Sequence, residues 1–434
     1  MTNVSVRKTL ELKGEVCAPA SKAYTQRLLV AAALSEGNSK VVNPLFSEDT
    51  EATLRAVRAL GAKVSVTDNC WIVQGATPIQ GSKQPVDCGE SGATLRFMIP
   101  IAAVAAHPTI FVMRKSLAKR PIEPLLQSLK RLGVEARLQK VDGNLAVHVE
   151  GGGIRGGKTD LPGDVSSQFV SGLMFACPMA QKATDLQLTT PLESKSYVQM
   201  TQSVLAKHGI KVEISPDFMR FHIPANQKYS PQDDKVPGDF SSAAFLLAAA
   251  AITKSDVTIK NLDFKAVQGD KAILDILKQM GVQREVCNGN VKITGSGDYL
   301  EVVDLDARDI PDLVPICSVL ACFANGTSKI HDAKRLRLKE SDRLESIYVE
   351  LRNMGAQINI DHSSLTIKGP CVLCGVPIDP FNDHRIAMSC AVAALRAEGE
   401  TVIQDAECIR KSYPHFFTDL RKLGADVVGG EFDR

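Results

Sequence analysis

Six times along the chain an amphipathic stretch runs into a glycine and then into a short β-branched segment. The copies read LRAVRALGAKVSV, LLQSLKRLGVEARL, VLAKHGIKVEI, ILDILKQMGVQREV, ELRNMGAQINI and DLRKLGADV, with glycines at Gly61, Gly133, Gly209, Gly281, Gly355 and Gly424. Each copy predicts a helix closed by a left-handed glycine and followed by a strand. A second phrase sits at a fixed place in each copy: a helix of small apolar residues, a turn and a strand. LLVAAALSEGNSKVVN, FLLAAAAITKSDVTIKN and ICSVLACFANGTSKIHD are strong examples. MIPIAAVAAHPTIFV, LMFACPMAQKATDLQL and AMSCAVAALRAEGETVIQD are weaker ones. Helices with almost no polar face belong inside a fold. The unit therefore reads as inner helix, strand, outer helix, glycine, strand, with one more strand before the next inner helix. The glycines lie about 69 to 76 residues apart, so the repeat is a small α/β unit and not a solenoid turn. Six copies predict two globular halves of three units each.

The residues just before each inner helix carry the candidate chemistry. They read APASKAYTQR, CGESGATLR, PGDVSSQF, PGDFSSAAF, RDIPDLVP and FNDHRIAM. A helix N-terminus presents unpaired N–H groups and a partial positive charge, which suits anions and phosphate above all. Ser and Asp at such places also serve as plain N-caps; PGDFSSAAF reads that way. Basic residues gather in RKSLAKRPIEPL, in KRLRLKESDRLE, and at Arg385 with Arg410 and Lys411. Lys115 and Lys334 read as solvated. The rest predict a small, multiply anionic ligand held by arginine forks and lysine point charges. Asp312, Glu340 and Asp342 lie in the same segments, and a carboxylate among cations beside a ligand can move protons. The alternative reading makes them ion-pair partners that organise the arginines.

Composition narrows the class. The 434 residues are 44% hydrophobic and 23% charged, ample for two cores, and the net charge of +2 points to neither nucleic acid nor membrane. Aromatics are only 5% and do not interleave with the basic runs, which argues against base stacking on single strands. MTNVSVRKTLELKGEV is polar and strand-like, unlike a signal peptide. Eleven scattered cysteines predict reduced thiols and a cytoplasmic protein; Cys371 and Cys374 form a lone CxxC without a second pair. No GxxxxGK[ST], GxGxxG or HExxH is present.

From about Lys13 onward the chain resembles the 5-enolpyruvylshikimate-3-phosphate synthases, members of the enolpyruvyl transferase family. The resemblance rests on SKAYTQR, GESGATLR, KRPIEPL, VSSQF, SKSY, PGDFSSA, IPDLVP, LRLKESDRL, NDHRIAM and KSYPHF, in that order. It implies an α/β fold of two inside-out, barrel-like domains, each of three βαβαββ units. The first domain would be discontinuous, residues 1–19 plus 239–434, and the second would span 20–238, with the active site in the cleft between them. It implies transfer of the enolpyruvyl group of phosphoenolpyruvate to the 5-hydroxyl of shikimate-3-phosphate, with phosphate released and no cofactor or metal. The protein would be a monomer with these two substrates as its partners. Ser166, Ser167 and Ser194 would hold the shikimate phosphate, and Arg27 its carboxylate. Gln168 and Tyr197 would flank the ring, and Lys339 would meet its hydroxyls. Lys22, Arg120, Arg343, Arg385 and Lys411 would surround phosphoenolpyruvate, with Gly92 supplying backbone and Gln168 reaching both ligands. Lys22, Asp312 and Glu340 would be catalytic: Asp312 for the 5-hydroxyl proton, Glu340 for the methylene proton and Lys22 for the leaving phosphate.

Three positions depart from the pattern: Ala23 replaces a common serine, Glu90 a common asparagine and Ala93 a common threonine. The alternatives are a UDP-N-acetylglucosamine enolpyruvyl transferase, an RNA 3′-phosphate cyclase and a non-catalytic anion-binding relative. The first normally carries a reactive cysteine where RKSLAKRPIEP has none. The second normally has fewer units.

Overall fold

The computed structural model describes residues 2–432. Six four-stranded sheets share one plan. In the third unit the strand Gly157–Leu161 leads into the inner helix Ser167–Ala176, the strand Thr184–Leu188, the outer helix Lys195–Lys207 and the hairpin Glu213–Ile214/Arg220–Ile223. The first two strands pair in parallel, and Arg220–Ile223 pairs antiparallel with both Thr184–Leu188 and Glu213–Ile214. The other five sheets repeat this spatial order of strands, three of them with one strand drawn from a distant part of the chain. The sequence pattern predicts three strands per unit. Between the strand after the glycine and the next inner helix it expects one strand where the structure has two, the return strand of the hairpin and a further one as short as Val86–Asp87 or Pro377–Ile378, too short to alternate visibly.

The inner helices sit at the centre of each unit. Every residue of Gly92–Ala103, Phe240–Ile252, Val314–Cys322 and His384–Ala394 is buried. The outer helices Glu48–Ala59, Glu123–Arg131, Ile273–Gln279, Arg343–Asn353 and Phe416–Lys422, with Lys195–Lys207, bury one face. All six close alike. The glycine has positive φ, its N–H reaches the carbonyl three residues back, and the next N–H reaches five back, as in Gly61→Arg58 (3.0 Å) and Ala62→Val57 (3.1 Å). Two carbonyls left over by the helix are thereby satisfied six times.

The chain divides into two compact units, Met1–Ser21 with Pro237–Arg434, and Lys22–Val236. Each unit borrows strands across the sequence. Val4–Arg7 pairs with Glu400–Ile403 and Val427–Val428, and Glu11–Cys17 pairs with Lys254–Lys260. In the other unit Asp233–Lys235 pairs with Asn38–Val42. Where the chain passes between the units its two passages hydrogen-bond, Ser21 N–H to Pro237 (2.8 Å) and Asp239 N–H to Pro19 (2.8 Å). Among the described residues no helix is long and apolar enough to cross a membrane.

Candidate active site

In the unit Lys22–Val236 the predicted residues fall at inner-helix starts. Lys22 opens the helix Lys22–Leu34, and its Nζ lies 2.9 Å from Asp49 Oδ2. One turn on, Gln26 Nε2 donates to the Asp49 carbonyl (3.2 Å), Thr53 (2.9 Å) and Ser91 (3.1 Å). Arg27 is buried; it donates to Thr201 Oγ1 (2.8 Å), the Ala23 carbonyl (3.0 Å) and the Tyr197 carbonyl (3.3 Å). Its guanidinium lies over the rings of Phe97 (5.1 Å) and Tyr197 (5.6 Å). Burial pulls its pKa down to about 10, partly offset by Tyr197 and Tyr24. Among the described residues no carboxylate pairs with it, so Arg27 is a desolvated cation that is able to receive an anion.

A second cluster surrounds Gly92, first residue of an inner helix capped by Ser91. A β-carbon at Gly92 would lie 3.1 Å from Arg120 Nη1, 3.3 Å from Arg96 Nη1 and 3.4 Å from Gln168 Oε1. Arg96 Nη1 donates to Gln168 Oε1 at 2.8 Å. Glycine lets two guanidinium groups and an amide close on the backbone here, where a β-carbon would push them back by a few tenths of an ångström. Ser166 caps the helix Ser167–Ala176, accepting from Gln168 N–H (3.3 Å). Ser194 precedes the helix Lys195–Lys207 in a left-handed conformation with no side-chain cap bond to that helix. Ser166, Ser167 and Ser194 are all buried.

In the other unit the carboxylates and cations interlock. Asp312 Oδ1 accepts from Arg343 Nη1 (2.8 Å) and Lys339 Nζ (3.2 Å), and Arg385 Nη2 lies 3.3 Å from Oδ2. Arg385 Nη1 also donates to the Asp312 carbonyl (3.2 Å). Arg343, 1% exposed, further donates to Asp383 Oδ2 (2.9 Å) and to Glu340. Burial would raise the pKa of Asp312, but Arg385, Lys339 and Arg343 outweigh it and hold the carboxyl well below its ordinary range. Lys339 is pushed down to about 8, by burial first and by Arg335 and Arg343, against the pull of Asp312. Burial opposes the charge of Arg343, yet Asp383, Glu340 and Asp312 raise its pKa further. Lys411 Nζ donates to the Asn382 carbonyl (2.6 Å), beside Asp383.

Asp312, Lys339, Glu340, Arg343 and Arg385 thus form one cluster; Gly92, Arg120 and Gln168 form another; Arg27 and Tyr197 form a third. Lys22 pairs with Asp49 in one unit, whereas Asp312 and Glu340 belong to the other. Asp342 is an N-cap, accepting from Glu345 N–H (3.1 Å). In PGDFSSAAF the cap is Asp239, which takes the Ser242 N–H and hydroxyl. Ser241 turns to Asp270 instead. Sequence reasoning missed Asp49, Arg96, Asp270 and the arginine-holding role of Asp383. Arg96 was legible, one turn beyond Gly92 on the same helix. Asp270 lies in a polar turn, AVQGDK, that resembles a surface loop, yet it is buried, and burial with the nearby Asp312 raises its pKa to about 7. Cys371 has its neighbour in Cys322, not Cys374: its N–H donates to the Cys322 carbonyl at 2.7 Å.

Residues 6–420 match the family model of EPSP synthase (3-phosphoshikimate 1-carboxyvinyltransferase). A 3-phosphoshikimate 1-carboxyvinyltransferase of Methanocaldococcus jannaschii is 40% identical over 97% of this chain and 98% of its own. One from Methanosarcina mazei is 43% identical over 96% of each. The crystal structure of EPSP synthase from Acinetobacter baumannii superposes with a TM-score of 0.81 at 25% identity, covering 99% of this chain and 100% of that one. Architecture, ordered motifs and near-complete coverage agree: the chain belongs to the EPSP synthase (3-phosphoshikimate 1-carboxyvinyltransferase) family.

Proposed function

We propose that the protein transfers the enolpyruvyl group of phosphoenolpyruvate to the 5-hydroxyl of shikimate-3-phosphate and releases phosphate. The observation that carries this reading is the cluster around Asp312, a carboxylate kept ionised by three cations in a desolvated setting. Such a group is unprotonated at neutral pH, as a proton acceptor must be, and it becomes a stronger base when the bound anions draw Arg385, Lys339 and Arg343 towards themselves. In the addition step the 5-oxygen bonds to C2 of phosphoenolpyruvate while C3 takes up a proton. In the elimination step C3 returns that proton as the C2–O bond to phosphate breaks. Glu340, which shares Arg343 with Asp312, is assigned the C3 proton in both directions. Lys22 is assigned the charge of the leaving phosphate. Arg120, Arg343, Arg385 and Lys411 hold the donor, with Gly92 backbone and Gln168. Arg27 receives the acceptor's carboxylate, Ser166, Ser167 and Ser194 its phosphate, and Gln168, Tyr197 and Lys339 its ring. The carboxylates of Asp312 and Glu340 oppose the positive charge that develops at C2, and the lysine and arginine charges take up that of the leaving phosphate, without reorganising during the step.

The test is to supply phosphoenolpyruvate with shikimate-3-phosphate and follow phosphate and the enolpyruvyl ether by 31P NMR. Stoichiometric formation of both is expected. Phosphate release with UDP-N-acetylglucosamine instead, or with neither acceptor, would overturn the assignment.

A further inference from the structure

The turn that carries Arg120 has little packing of its own. Lys115–Lys119 is a single 3-10 segment in which only Leu117 is buried. The Glu90 carboxylate ties it to the start of the inner helix Gly92–Ala103. Glu90 Oε2 accepts from Ser116 Oγ at 2.6 Å and from Ser116 N–H at 3.4 Å. The same Ser116 hydroxyl accepts from Arg120 Nη2 at 3.1 Å. A hydroxyl has one proton to give, and here it goes to Glu90, leaving the lone pairs for Arg120. The Glu90 side chain is only 11% exposed, and Lys115 Nζ approaches it no closer than 3.9 Å. A carboxylate two residues before Gly92, where Arg96 and Arg120 converge, weakens the local attraction for an anion. Its contribution must therefore be positional.

We infer that Glu90 is a positioning residue: through Ser116 it fixes the guanidinium of Arg120 against Gly92 and so sets the affinity for the donor anion. This rests on the reading of Arg120 as a phosphoenolpyruvate ligand. Glu90→Ala should raise KM for phosphoenolpyruvate about tenfold, hold kcat within about threefold and leave KM for shikimate-3-phosphate unchanged. Glu90→Gln keeps an acceptor for Ser116 and sheds the opposing charge, so its KM should stand at or below the wild-type value. Ser116→Ala should match Glu90→Ala, and the double variant should be no worse than either single one. Without any ligand, amide exchange of residues 114–121 should speed up in Glu90→Ala and not in Glu90→Gln, a readout that does not need turnover. Unchanged exchange together with an unchanged KM in Glu90→Ala and Ser116→Ala overturns the inference. A wild-type protein that turns nothing over, with exchange responding as described, overturns the donor-site reading and leaves the Glu90 anchor standing.

Discussion

Arg27 is buried, and among the described residues no carboxylate answers its charge. The fall of its pKa from 12.5 to about 10 corresponds to roughly 3 kcal/mol of disfavoured charge at neutral pH. Arg27→Met should therefore be as stable as the parent or more so, since replacing an unpaired buried ion by an apolar side chain removes a desolvation cost. The same variant should bind shikimate-3-phosphate at least about 100-fold more weakly, because its carboxylate loses a charge-assisted partner. Thermal melting and calorimetry read the two effects separately; loss of stability without loss of binding would make Arg27 a structural residue. Lys339 offers a pH handle. Its pKa is depressed to about 8, so the free enzyme loses this charge as pH rises through 8, and kcat/KM for shikimate-3-phosphate should fall on that limb. Lys339→Arg should lower kcat/KM overall but abolish the fall up to about pH 10.

At the scale of elements, glycines of one repeat do different work. Gly281 has φ +83°, and an added β-carbon would meet only Glu301 Cγ at 3.6 Å; Gly281→Ala should cost about 1 kcal/mol, the strain of a left-handed alanine. Gly295 lies where the end of the inner helix Phe240–Ile252 crosses the hairpin, and its β-carbon would sit 2.4 Å from the carbonyls of both Ala250 and Thr253. Backbone must move there, so Gly295→Ala should cost at least about 3 kcal/mol. Urea titration of the two variants would rank them; equal costs would refute the distinction. The first glycine was legible because helix closure leaves a local pattern. The second was not, since its crowding comes from a carbonyl some forty residues away. The same division holds at the site. SSQ, GESG and KESDR announce the ends of elements and are read locally, whereas Asp49 and Asp270 matter only through what folds against them. Glu350 belongs with these. It is buried on the outer helix Arg343–Asn353, with its pKa raised to about 7 by burial and then by Asp379. For an acid shifted upward, stability is full below the ordinary value of 4.5, falls as pH rises to 7 and is flat beyond. Glu350→Gln should remove that slope and be about 1–2 kcal/mol more stable than the parent at pH 8. Denaturation at pH 5 and pH 8 compares them, and parallel slopes would refute it.

At the scale of the whole molecule, strand borrowing is unequal between the units. Lys22–Val236 completes its own sheets from within, because Asp233–Lys235 supplies the missing strand beside Asn38–Val42. An isolated fragment of residues 22–236 should therefore fold and melt cooperatively. A fragment of residues 237–434 lacks Val4–Arg7 and Glu11–Cys17, which leaves two of its three sheets incomplete, and should be unfolded until a peptide of residues 1–21 is added. Circular dichroism and NMR dispersion decide it; a well-folded 237–434 alone would contradict the account. The six-unit plan was legible in the sequence because a repeat announces itself. This exchange of strands was not, because Val4–Arg7 carries no local mark that its partners are almost four hundred residues away.

That exchange also sets a timetable for synthesis. At about 5–20 residues per second, roughly 20–80 s separate the emergence of Val4–Arg7 from that of Val427–Val428 beside which it must lie. The unit Lys22–Val236 leaves the ribosome whole during this wait, while two orphan strands dangle ahead of it. An unpaired strand edge invites aggregation unless charge protects it. Glu11–Cys17 is written accordingly: Glu11, Lys13 and Glu15 face outward, and only Leu12 and Val16 are apolar residues destined for burial. These early strands are thus placed long after they are made: the alternation of charge in Glu11–Cys17, ordinary in the finished sheet, protects that strand until Lys254–Lys260 arrives, while Val4–Arg7 waits for Glu400–Ile403 and Val427–Val428.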